Sequence, residues 1–126
     1  MIKMIFALRR LPHLSREEFQ KYWREKHGPL AQKNLPILRC KRYIQNHTLQ
    51  TDFDELLQMT RGFTTEPFDG IVELWWDSIQ DIEEAYGTPE GAEAQNELLE
   101  DERKFIDLER SPMWFAEEHV FIGSRK

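Results

Sequence analysis

The seven residues from Gly70 to Trp76, read as an extended chain, set Ile71, Glu73 and Trp75 on one face and Val72, Leu74 and Trp76 on the other. A strand with an indole on each face has to be covered twice, so it belongs inside a sheet. Met1 to Arg10 has the same character. Ile2, Met4, Phe6 and Leu8 share one face while Ile5 and Ala7 occupy the other, which makes a second inner strand. Met113 to Ile122 reads as a further strand, with Phe115, Glu117, His119 and Phe121 opposed to Trp114, Ala116, Glu118, Val120 and Ile122. From Arg39 to His47, Lys41, Tyr43, Gln45 and His47 alternate with Cys40, Arg42, Ile44 and Asn46, giving a more polar strand.

Helical signals fall between these segments. Pro12 ends the first strand, and Ser15 with Glu18 forms the S-x-x-E capping box of a helix start. Phe19, Tyr22, Trp23, His27 and Leu30 follow the helical rhythm that aligns them on one inward stripe. Gly28 and Pro29 then predict a kink or stop at His27, because proline lacks an amide donor. Residues 48–67 predict a short helix from Asp52 to Met59 and a long irregular loop. Ser78 caps a helix to about Tyr86 with Gly87 at its end, and Thr88-Pro89 opens another segment reaching about Asp107.

The order is βαββαβ, which predicts an α+β, ferredoxin-like domain with a four-stranded antiparallel sheet and its helices on one face. With no linker or repeat, residues 1–126 read as one domain. The helix-free face would be apolar and would be covered by a second copy, a two-fold homodimer.

Composition narrows the function classes. Seventeen basic and twenty-three acidic side chains leave a net charge of −6, which disfavours nucleic-acid binding. The apolar stretch near the N-terminus is too short for a membrane span and lacks a cleavage site, so a cytoplasmic protein without membrane contact is expected. Cys40 is the only cysteine, and the four histidines are scattered, so no disulfide or metal site is expected. Arg39, Lys41 and Arg42 make a local basic cluster, either a solvated strand edge or a recruiter of anionic substrate. The acidic run Glu97 to Arg110 reads as a solvated helical face.

The runs Tyr22 to Leu30 (YWREKHGPL), Asp69 to Trp76 (DGIVELWW) and Phe105 to Gly123 resemble the EthD-like branch of the dimeric α+β barrel superfamily. That resemblance implies a dimeric α+β barrel and a cavity between sheet and helices in each subunit, with no metal or organic cofactor. It also implies, by position, that His27, Tyr43 and His47 line the cavity.

The residues themselves allow two readings at each position. His27, on the stripe of Tyr22 and Trp23 and with an ordinary pKa near 6.5, is either a capping histidine or a general acid/base. Tyr43 and His47, about 13 Å apart on one strand face, either serve the core and the strand end or hold opposite ends of a cyclic ligand. Glu73, among apolar neighbours, pairs with an arginine such as Arg9 or Arg42, or contacts ligand. Phe6, Tyr22, Trp23 and Trp75 are core, interface or pocket wall.

The function expected is a cofactor-independent lyase, isomerase or cyclase that moves protons on a small hydrophobic oxygenated ring compound: an aromatic, quinone or lactone. A non-catalytic binding or accessory protein and a cofactor-free monooxygenase are the alternatives.

Overall fold

The computed structural model describes residues 1–123. Strand β1 (Ile2–Leu8) lies inside the sheet, hydrogen-bonded to β3 (Gly70–Trp76) on one side and β4 (Met113–Ala116) on the other. Strand β2 (Arg42–His47) pairs with the far edge of β3, giving the antiparallel order β2-β3-β1-β4 of a ferredoxin-like sheet.

The sheet is open, not a barrel: β2 and β4 are its two edges and do not pair with each other. Strand number explains this, because a closed barrel with a filled interior takes about eight strands. The last strand is also shorter than the predicted Met113 to Ile122. Pairing with β1 ends at Ala116, opposite Lys3, and Val120, Phe121 and Ile122 stand in solvent.

The helical layer begins as the capping box requires. Ser15 accepts from the Glu18 amide and Glu18 from the Ser15 amide, opening α1 (Arg16–Tyr22). The chain does not stop at His27, but regular α-helix is interrupted just before it. A π-helical turn, Trp23–His27, joins α1 directly to α2 (Gly28–Asn34). The Gly28 amide reaches back five residues to the Trp23 carbonyl, and Pro29 then sits in the first turn of α2, where a missing N–H costs little.

Strand β2 starts at Arg42 rather than Arg39, whose positive φ of 66° interrupts extended chain. Residues 52–60 form α3 (Asp52–Thr60) with none of its side chains buried. Two helices, α4 (Ile79–Tyr86) and α5 (Pro89–Glu102), complete the layer, each capped by the predicted Ser78 or Thr88. A 3-10 turn, Leu108–Arg110, leads into β4.

Alternation on the strands decides what faces the helices. Met4, Phe6, Leu8, Val72, Leu74 and Trp76 pack against Phe19, Trp23, Leu35 and Phe105. Each such fully buried side chain contributes about 1.5–3 kcal/mol. Gly70 is required by this packing, since a Cβ there would lie 2.3 Å from the Trp23 ring. At the same end of the sheet, Asp69 is buried and accepts from Arg10 at 2.6 Å and Arg16 at 2.9 Å, tying β3 to the start of α1.

On the opposite, helix-free face Trp75 is only 3% exposed, because the Lys3 ammonium and the Arg42 guanidinium each lie 5.1 Å from its ring. Trp114 on that face remains 46% exposed.

Candidate functional site

Between the helices and the sheet lies a cavity of about 490 Å³. That volume suits a small organic molecule. Met4, Phe6, Val72 and Leu74 form its floor, and the half-exposed Met113 and Phe115 of β4 form a rim. Its polar lining includes His27 from the π-turn, Tyr43 from β2, and Gln95 and Glu102 from α5. Tyr86, at the end of α4, adds a second phenol.

Gly91, Ala94, Leu98 and Asp101 are the buried residues of α5, and Phe105 continues that stripe beyond the helix. Asp101 thus points inward from a position where the pattern predicts an apolar side chain. Its Oδ2 is 2.8 Å from His27 Nδ1, and its Oδ1 accepts from the Tyr22 hydroxyl at 2.6 Å. Burial raises the Asp101 pKa, but the hydrogen bonds from Tyr22 and His27 outweigh it and hold the carboxyl below its ordinary range. Asp101 is therefore ionised and can only accept. It follows that His27 carries its hydrogen on Nδ1 and presents a bare Nε2.

Burial lowers the His27 pKa and is opposed only in part by Asp101, so the ring is neutral near neutrality. Its Nε2 lies 3.9 Å from Glu102 Oε2, too far for a hydrogen bond and close enough for charge to matter. Glu102 is pushed up to about 7, first by burial and then by the Asp101 charge. A neutral base and a carboxylic acid thus share one cavity. That pairing is the arrangement general acid/base chemistry needs, and equally one that holds a polar ligand.

The structure brings together His27, Tyr43, Trp23 and Phe6, all of which line the cavity. Tyr22 sits behind His27, its hydroxyl committed to Asp101. His47 does not line the cavity; it stacks on Trp23 with ring centres 4.3 Å apart and its Nε2 is 2.7 Å from Gln45 Oε1. Glu73 and Trp75 fall on the helix-free face, opposite His27, as the two-residue period of β3 dictates. Glu73 takes an ion pair from Lys3 at 2.9 Å and a hydrogen bond from the Asn46 amide at 2.9 Å. The basic cluster is occupied, Arg39 by Glu84 and Lys41 by Asp77, while Arg42 lies over Trp75.

Asp101 and Glu102 were not legible as site residues inside the acidic run. A signal was present: two acids in the last turn of a helix oppose its dipole, which favours cations there. Among the described residues no group of three or more histidine, cysteine, aspartate or glutamate side chains could hold a metal ion. Among the described residues no helix is long and apolar enough to cross a membrane.

A family model described as the EthD domain matches residues 11–109. Solved structures share the fold at low identity. An ethyl tert-butyl ether D (EthD) family protein from Bacillus halodurans superposes with a TM-score of 0.60 at 18% identity, over 94% of this chain and 100% of that one. An EthD-like protein from Ralstonia eutropha gives 0.63 at 16% identity, over 98% and 97% of the two chains. HapK from Hahella chejuensis gives 0.59 at 8% identity, over the full length of both. No curated protein sequence matches the chain.

Proposed function

The chain belongs to the EthD family, and from that premise we propose that it is a cofactor-independent lyase, isomerase or cyclase acting by proton transfer on a small, hydrophobic, oxygenated ring compound. One observation carries the reading: the bare Nε2 of His27 faces a largely apolar cavity with Nδ1 held by Asp101, 2.8 Å away. In this scheme Nε2 takes a proton from a carbon next to a carbonyl, and Asp101 stabilises the imidazolium that results. The imidazolium returns its proton to another atom of the ligand, or Glu102 in its acid form donates and its carboxylate, 3.9 Å from Nε2, then takes the imidazolium proton, so the protons balance over a turnover. Tyr22 and Trp23 set the position of the histidine, and Phe6 forms part of the apolar floor.

The apolar walls also favour a second reading, a carrier or accessory protein that binds the same class of molecule without changing it. Deuterium exchange separates the two. With 2-tetralone as probe in D₂O, proton NMR is expected to show exchange next to the carbonyl well above the buffer rate, abolished by His27→Ala. Binding of 2-tetralone without accelerated exchange would leave only the carrier. A cofactor-free monooxygenase would begin from the same carbanion, with oxygen consumption as its distinguishing product-side signal.

We further propose that two copies bury their helix-free faces against each other. Ile5, Ile44 and Ile71 are only partly covered there, and Trp114 is 46% exposed, which is a cost that a second copy removes. The net charge of −6 and the free thiol of Cys40 suit a cytoplasmic protein with no nucleic-acid partner.

A further inference from the structure

A chain of three side chains on one face of β2, Tyr43, Gln45 and His47, has its hydrogen positions fixed by a neighbour that can only accept. The Gln45 side-chain atom 3.0 Å from the Trp23 carbonyl oxygen has to be the amide nitrogen, since an oxygen there would repel. The same nitrogen lies 2.8 Å from Tyr43 Oη. Its two hydrogens are thereby used, one on Trp23 and one on Tyr43. The amide oxygen points the other way and lies 2.7 Å from His47 Nε2, so that nitrogen carries a hydrogen.

The far nitrogen of His47, Nδ1, is buried and has no hydrogen-bond partner among the described residues. A second proton there would bury an unpaired N–H, so the ring stays neutral and keeps this tautomer. Stacking on Trp23 fixes its plane, and the absence of a side chain at Gly70 lets Trp23 lie where that stack needs it. Each link therefore has one orientation.

At the end of the chain, the Tyr43 oxygen accepts from Gln45, and its own O–H donates to no described group. The residue lines the cavity. We infer that Gln45 and His47 are positioning residues that hold Tyr43 as a hydrogen-bond donor into the cavity, so that the site selects a ligand presenting a bare acceptor oxygen, a ring ketone or lactone carbonyl. Burial keeps the phenol protonated, with its pKa pushed up to about 12. His47 then acts through Gln45 and transfers no proton itself. This inference rests on the reading of the cavity as a small-molecule site.

Infrared spectra of carbonyl-¹³C-labelled 2-tetralone bound to the full chain test it. Bound to the native protein, the carbonyl band is expected below its position in cyclohexane. Tyr43→Phe, which removes one oxygen and little else, is expected to return the band to the apolar-solvent position and weaken binding about tenfold. Gln45→Leu and His47→Leu are expected to broaden the band and return it part of the way, with Tyr43 still present. A merely structural role for these residues would not move the frequency. Bound ketone with an unchanged, lowered band in Tyr43→Phe overturns the inference and leaves the cavity reading intact, and an unchanged band in both leucine variants overturns the positioning chain. If 2-tetralone does not perturb the NMR signals of His27 or Tyr43 even in the native protein, the cavity reading fails and takes this inference with it.

Discussion

His27 Nδ1 lies 2.8 Å from Asp101 Oδ2 although 74 residues separate the two in the chain, and Tyr22 holds the other carboxylate oxygen at 2.6 Å. The aspartate thus stands between a phenol and an imidazole, both donating to it. In the proposed mechanism this contact decides which nitrogen of His27 faces the cavity.

Asp101→Asn keeps the size of the side chain but removes its charge and lets the imidazole adopt either tautomer. Exchange into 2-tetralone is expected to fall about 100-fold while circular dichroism stays native. An Asp101→Asn protein that exchanges at the native rate would remove Asp101 from the mechanism.

The pH profile of that exchange is expected to be bell-shaped. The rising limb lies below the ordinary histidine value, because burial lowers the His27 pKa. The falling limb lies near 7, where Glu102 ionises and sets a negative charge beside the developing enolate. In Glu102→Gln the falling limb is expected to vanish and the rising limb to stay; rates measured between pH 5 and 9 check both.

Glu102 also makes stability depend on pH, and the sign is set by its raised value. The folded protein holds this proton up to about 7, whereas the unfolded chain releases it near 4.5, so ionisation costs stability progressively across that window. Glu102→Gln is accordingly expected to be more stable than the native protein by on the order of 2–3 kcal/mol at pH 8 and by close to nothing at pH 4. Urea midpoints at the two pH values read the difference.

Trp114→Glu places a charge in the middle of the exposed patch on the helix-free face. Light scattering is expected to show a dimer for the native chain and a monomer for the variant, with the helical signal unchanged. A native chain that is monomeric at all concentrations would overturn the proposed pairing.

Much of the fold was readable from side-chain spacing because the spacing has local causes. The alternation from Gly70 to Trp76, the Ser15–Glu18 box and the caps at Ser78 and Thr88 each depend on residues within a few positions, and each element starts where it was expected, although the helix after Thr88 ends at Glu102 and not near Asp107. Other expectations failed for reasons that are not local. Pro29 does not end its helix, because the π-turn before it absorbs the missing hydrogen bond while Trp23 and Phe19 remain in the core. The terminal strand stops at Ala116, opposite Lys3, although its alternation continues to Ile122, because ladder pairing depends on a partner strand and not on side-chain spacing alone.

The site divides along the same line. By itself the sequence determined the strands and helices, their order, the inward stripe carrying His27, and the face of β2 that Tyr43 and His47 share, since periodicity and capping act over one or two turns. Only the tertiary structure decided that α5 delivers Asp101 and Glu102 to His27, that Gln45 stands between Tyr43 and His47, and that Glu73 and Trp75 lie on the other side of the sheet. Those outcomes rest on how helices pack across the sheet, and a carboxylate's pKa and a histidine's tautomer follow from the neighbours that packing supplies.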